Sequence, residues 1–96
     1  MNRYLVYRYG ANSFNQGWRW EYPLCIVEAP NRSEAIEIAE QYHEVYQNQY
    51  LKAVPLSKAR RRDIDEIERE GWYYHEGKDV KKHPQILITQ EPWILY

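Results

Sequence analysis

Two stretches of β-forming residues open this chain, and the short loop between them constrains the fold more than any other feature. The first, Tyr4 to Tyr9, is dominated by Tyr, Leu and Val and reads as a strand. Gly10 and Gly17 bracket the loop that follows. Trp18 to Ala29 reads as a second, longer strand, whose alternate positions Trp18, Trp20, Tyr22, Leu24 and Ile26 would share one face. Pro23 interrupts it and predicts an edge or a bulge. An antiparallel hairpin is the expected product.

The rest of the chain alternates between the two periods. Asn31-Arg-Ser-Glu34 has the form of a capping box. Beyond it Ala35, Ala39, Tyr42 and Tyr46 recur at helical spacing, joined by Ile38 and Val45, and predict a helix to about Gln47. Glu37, Glu40 and Glu44 lie on its opposite, solvated side. Tyr50 to Val54 reads as a third strand stopped by Pro55. Ser57 is the expected cap of a second helix reaching Glu70, with a narrow apolar stripe of Ile64 and Ile67. Gly71 is placed to end it, with Trp72 packing back on Ile67. Trp72 to Glu76 and Gln85 to Thr89 read as two more strands around a charged turn, Gly77 to Pro84. The order β-β-α-β-α-β-β predicts an α+β fold. Its simplest packing is a mostly antiparallel sheet of about five strands with both helices on one face. The connection from the second strand through the first helix to the third has the form of a right-handed crossover. At 96 residues the chain is expected to be one domain, residues 1–96, burying roughly two thirds of its surface.

Charge and composition narrow the function. Thirteen basic and fourteen acidic residues leave a net charge of −1, which excludes a globally basic nucleic-acid coat and a strongly acidic DNA mimic. The single cysteine, Cys25, lies in the apolar run Leu24-Cys25-Ile26-Val27 and is expected to be a buried, inert thiol. The start does not read as a signal peptide, and no run approaches the ~18 apolar residues of a membrane span. A cytoplasmic protein with no membrane partner is the expectation. Catalytic signatures are lacking. Ser13, Ser33 and Ser57 have turn or cap explanations, and no nucleophile elbow or glycine-rich phosphate loop occurs. His43, His75 and His83 show no metal-binding spacing. No cofactor or metal site is expected.

Three features remain. Ten tyrosines and four tryptophans against one phenylalanine supply rings whose polar tips need water or a partner. Several interleave with arginine on the predicted hairpin, in Arg3-Tyr4, Tyr7-Arg8-Tyr9 and Trp18-Arg19-Trp20. Tyr7, Tyr9, Trp18, Arg19 and Trp20 are therefore candidate contact residues, as are Trp93 and Tyr96 of the apolar end Trp93-Ile-Leu-Tyr96. Second, Lys58, Arg60, Arg61 and Arg62 crowd the start of the second helix, where the macrodipole disfavours cations. They read either as local ion pairs, Arg61 with Asp65 and Arg62 with Glu66, or as a site for an anion or nucleic acid. Third, the apolar end either docks internally or adds to another chain. These features together predict a non-catalytic protein-binding module: an accessory, adaptor or inhibitor protein acting through a Tyr/Trp/Arg surface. Single-stranded RNA or DNA binding is the alternative, and a small enzyme subunit the third. Homo-oligomer formation through a sheet face or edge is compatible with all three.

Overall fold

The structure, a computed structural model, describes residues 1–11, 19–70 and 85–90. The predicted strand at 72–76, the charged turn, the cap at Gly71 and the apolar end lie outside the described residues. Four strands are described: β1 (Asn2–Ala11), β2 (Arg19–Ala29), β3 (Gln49–Pro55) and β4 (Ile86–Thr89). Helix α1 (Arg32–Tyr42) joins β2 to β3, and a 3-10 turn (Leu56–Lys58) leads into α2 (Arg61–Glu70). All pairings are antiparallel, in the order β3-β1-β2-β4. This is the expected α+β class, with four strands among the described residues. Strands β2 and β3 flank β1 and so run parallel to each other, with α1 as the connection across it. No helix among the described residues is long and apolar enough to cross a membrane.

The two helices do not share a face, as the sequence led us to expect. Tyr4, Val6, Cys25 and Val27 pack with Ala35 and Ala39 of α1. Leu5, Tyr7 and Ile26, pointing the other way, pack with Ile64 and Ile67 of α2. The reason is visible in β1 itself. Tyr4-Leu5-Val6-Tyr7 are all buried, and a strand apolar at both parities needs cover on both sides. Removing each Leu, Ile or Val side chain from water contributes roughly 1.5–3 kcal/mol. Two helix–sheet layers therefore replace the single layer that an open-faced sheet would have.

Pro23 produces the bulge, and the bulge corrects the predicted face of β2. Val6 lies opposite Cys25 while Tyr7 lies opposite Pro23, so Leu24 is the extra residue. One inserted residue reverses the inside–outside phase. Trp20 and Tyr22 consequently align with Cys25 and Val27, not with Ile26.

Both helices start and stop for local reasons. Asn31 caps α1 as expected, its Oδ1 accepting from the amide of Glu34 at 2.9 Å. The helix ends at Tyr42, short of Gln47, and His43 takes extended angles. Arg8 supplies a physical reason. Its guanidinium donates to the Glu44 carbonyl at 2.7 Å and to Gln49 Oε1 at 2.8 Å, and a continuing helix would need that carbonyl for its own ladder. Asn48, with φ of 70°, then turns the chain into β3, a left-handed conformation that asparagine tolerates. At α2 the opening residue is Arg60, whose carbonyl accepts from the amides of Asp63 and Ile64 at 3.0 and 3.2 Å. Ser57 sits in the preceding 3-10 turn and is not the cap.

Candidate functional site

Side-chain alternation decides which of the predicted contact residues reach the surface. On β1 the sequence neighbours Tyr7, Arg8 and Tyr9 face alternately opposite sides of the sheet. Tyr7 is buried, at 4% exposure, and its hydroxyl donates to Asp63 Oδ2 at 2.6 Å. Burial first, and then this hydrogen bond, push its phenol up to about 12. Tyr7 is thus a core residue that docks α2, and we withdraw it from the contact surface. Arg8 is equally buried, on the α1 side. The interleaved rings and arginines of the sequence do not form one mixed face.

What does form a mixed face is the end of the α2 side that α2 leaves uncovered. Tyr9 lies opposite Tyr50 on β3 and opposite Glu21 on β2. The two tyrosine rings stack with centroids 5.3 Å apart, and they are 37% and 57% exposed. Lys52 is two positions along β3 from Tyr50 and shares its face. Tyr9, Arg19, Trp20, Glu21 and Lys52 line an open cleft of about 520 Å³. Neither Arg19 nor Lys52 makes an ion pair among the described residues. Sequence reasoning missed Tyr50, Lys52 and Glu21. The signal was the alternation of the third strand, which puts its one ring and its one cation on a common face.

Trp20 contributes differently. It stacks on Tyr22 at 5.6 Å and lies over Gly10, where an added Cβ would stand 2.6 Å from its Cζ2 and 2.9 Å from the Asn48 carbonyl oxygen. An indole over a cross-strand glycine fills the space that residue leaves empty. Trp20 is half-buried, and part of it works as packing. Arg19 is exposed. Trp18, Trp93 and Tyr96 lie outside the described residues.

The cationic cluster does not converge on an open site. Helix α2 begins at Arg61, with Asp63 in its first turn and Arg69 in its last. Arg61 and Arg62 share that first turn, and Glu68 and Glu70 flank Arg69, so the unfavourable order for the macrodipole that the sequence suggested persists and is eased only by Asp63 and Arg69. Lys58 and Arg60 precede the helix. Arg60 and Arg62 both approach Asp63, at 3.3 and 3.9 Å, and Arg61 pairs with Asp65 at 3.1 Å, as expected. Among the described residues Arg62 thus pairs with Asp63 and not with the predicted partner Glu66. Cys25 is fully buried, as expected. A second buried polar contact had no sequence signal: His43 Nε2 lies 3.1 Å from Thr89 Oγ1, tying the end of α1 to β4.

Among the described residues the fold is α+β, with a sheet capped by a helix on each side and open at one end of the α2 side. The chain matches no family model, no curated protein and no solved structure, so the interpretation of that open end rests on its chemistry.

Proposed function

We propose that this chain is a non-catalytic protein-binding module that engages another protein through the open end of its sheet, centred on Tyr9 and Tyr50 and flanked by Arg19, Lys52 and Trp20. The observation that carries this reading is the stacked, exposed Tyr9–Tyr50 pair. Tyrosine, tryptophan and arginine dominate the energetics of protein interfaces. Rings held in place by a sheet and by each other lose little conformational freedom on binding. Glu21 among the cations suits a partner of mixed charge better than a polyanion. The arginines that would serve nucleic acid are engaged with Asp63 and Asp65, and nucleic-acid affinity needs several phosphate contacts.

The test is affinity capture on the full chain, followed by affinity measurement with the purified captured protein. Tyr50→Ala and Arg19→Ala are expected to weaken that complex, the tyrosine by roughly 30-fold, the effect of a central hot spot. A partner held equally by both variants, with the variants folded, would sink the proposal. A gel shift with single-stranded oligonucleotides at ~50 mM salt, where electrostatic affinity is greatest, decides the alternative. Binding there that is lost in Lys52→Ala would replace the protein partner by nucleic acid.

A further inference from the structure

The outer edge of β3 is a second element of recognition, and it shares Tyr50 and Lys52 with the ring surface beside it. We infer that it pairs with the same edge of a second copy of this chain, antiparallel about a two-fold axis at Leu51. This goes beyond the proposed function and does not rest on it.

Three observations define the edge. Strand β3 is terminal in the sheet, with β1 on one side and no strand on the other among the described residues. Its backbone parity follows from its two ends. Gln49 gives its amide to the carbonyl of Tyr46, and Pro55, which has no amide, gives its carbonyl to Ala59. The odd positions therefore direct their backbone groups away from β1, and the alternation carries this to Leu51 and Ala53 between them. The exposed side chains are Tyr50 and Lys52, on the α2 side.

Those side chains select one register. An edge pairing with itself must match outward positions to outward positions, which leaves only a few symmetric alignments. Centring on Lys52 puts the two Lys52 ammonium groups directly opposite each other, an unfavourable like-charge pair. Centring on Ala53 places Leu51 opposite Pro55, which has no amide to donate, and leaves Lys52 against Val54. Centring on Tyr50 leaves only Gln49 opposite Leu51, with the Gln49 amide already given to Tyr46, and sets Lys52 against Asn48. Centring on Leu51 brings Leu51 to Leu51 and the Ala53 amide to the Gln49 carbonyl, while the Gln49 amide stays with Tyr46. It also sets Lys52 of each copy against Tyr50 of the other in the closely spaced, non-hydrogen-bonded position. Each ammonium then meets a ring already stacked on Tyr9, a cation–π contact made twice by symmetry. Lys52, which has no ion pair among the described residues, gains a partner. A lysine on an edge strand ordinarily guards against pairing. In this register it becomes the group that fixes it.

The experiment is light scattering or sedimentation on the full chain from about 1 µM to about 1 mM, the range of weak association. The wild type is expected to pass from the mass of one chain to that of two. Tyr50→Lys sets lysine against lysine at two places and is expected to raise the dimer Kd about tenfold or more. Tyr50→Glu creates two Glu–Lys pairs in the same register and is expected to lower it, most at low salt. The exchange Tyr50→Lys with Lys52→Glu restores the dimer and guards against a variant that merely misfolds. A wild type that stays monomeric throughout overturns the inference. So does a dimer indifferent to position 50, or one that Lys and Glu at that position shift in the same direction. Capture of another protein by a strictly monomeric chain would leave the proposed function standing and this inference refuted.

Discussion

The two faces of this sheet are built from the same two central strands, yet they are finished differently. On the α1 side cover is continuous. The helix sits close on Ala35 and Ala39, Tyr22 and Trp20 carry the packing out to Gly10, and Arg8 and His43 seal the far end with hydrogen bonds. On the α2 side cover stops at the contact between Tyr7 and Asp63. Beyond it Tyr9, Glu21, Tyr50 and Lys52 are left over. An apolar strand can thus be a pure core element on one side and a recognition platform on the other. Where the second helix begins decides how much platform remains.

The sharpest way to break this comparison is to remove the polar seal of the α1 side. Arg8 is 4% exposed and serves both the Glu44 carbonyl and Gln49 Oε1. Arg8→Leu strips charged hydrogen bonds from two acceptors, which places the expected loss at about 3–5 kcal/mol. Urea unfolding measures it. A loss under about 1 kcal/mol would mean that the segment between α1 and β3 is held by something other than Arg8.

On the α2 side the corresponding contact is one hydrogen bond, and the effect should be about half as large. Tyr7→Phe is expected to cost about 1.5–3 kcal/mol at neutral pH, the range for a bond to a charged group. Its pH dependence is the more specific signature. The folded state raises the Tyr7 phenol from 10.0 to about 12, by burial and by the Asp63 hydrogen bond. A raised acid favours its neutral form in the fold. That stabilisation is complete below pH 10 and is lost as pH climbs from 10 towards 12. Subtracting the Tyr7→Phe curve from the wild-type curve isolates this term from the other tyrosines. The difference is expected to be flat from pH 7 to about 9 and to shrink above pH 10. A difference that stays constant to pH 12 would show that neither burial nor Asp63 raises the Tyr7 phenol in solution.

The four described strands, the α1 cap and the α+β class were legible because each is a local property. Alternation and a capping box need no tertiary information. The sidedness was less accessible. It depends on β1 having Tyr4 and Val6 at one parity and Leu5 and Tyr7 at the other, a doubly buried pattern written in four residues. The candidate surface was half legible for a related reason. Neighbouring residues such as Tyr7, Arg8 and Tyr9 look like one patch along the sequence and are divided between two faces by the pleat. Tyr50 and Lys52 looked unremarkable because their partner Tyr9 lies forty-one positions away from Tyr50 and is brought beside it only by strand pairing. Burial of Arg8 and His43 could not be read at all, since each is normally a surface residue and only long-range geometry supplies its partners.

The smallest expected effect tests the reading of the arginine cluster. Arg61 and Asp65 are 80% and 49% exposed and lie 3.1 Å apart. An exposed pair of this kind contributes little, because water screens it and two long side chains must be held in place. Arg61→Ala should change stability by less than about 0.5 kcal/mol at ordinary salt. Arg60→Ala should cost more, because its carboxylate partner is buried and is the same Asp63 that receives Tyr7. Desolvation strengthens that contact relative to a solvated one. The two substitutions remove the same charge one residue apart, so net charge cannot explain a difference between them. If both are silent, Tyr7 and Arg62 suffice to hold Asp63 without Arg60. If Arg61→Ala is the costlier, the cluster has a role in the fold that its exposed ion pair does not supply, and the order of importance along this helix would have to be reversed.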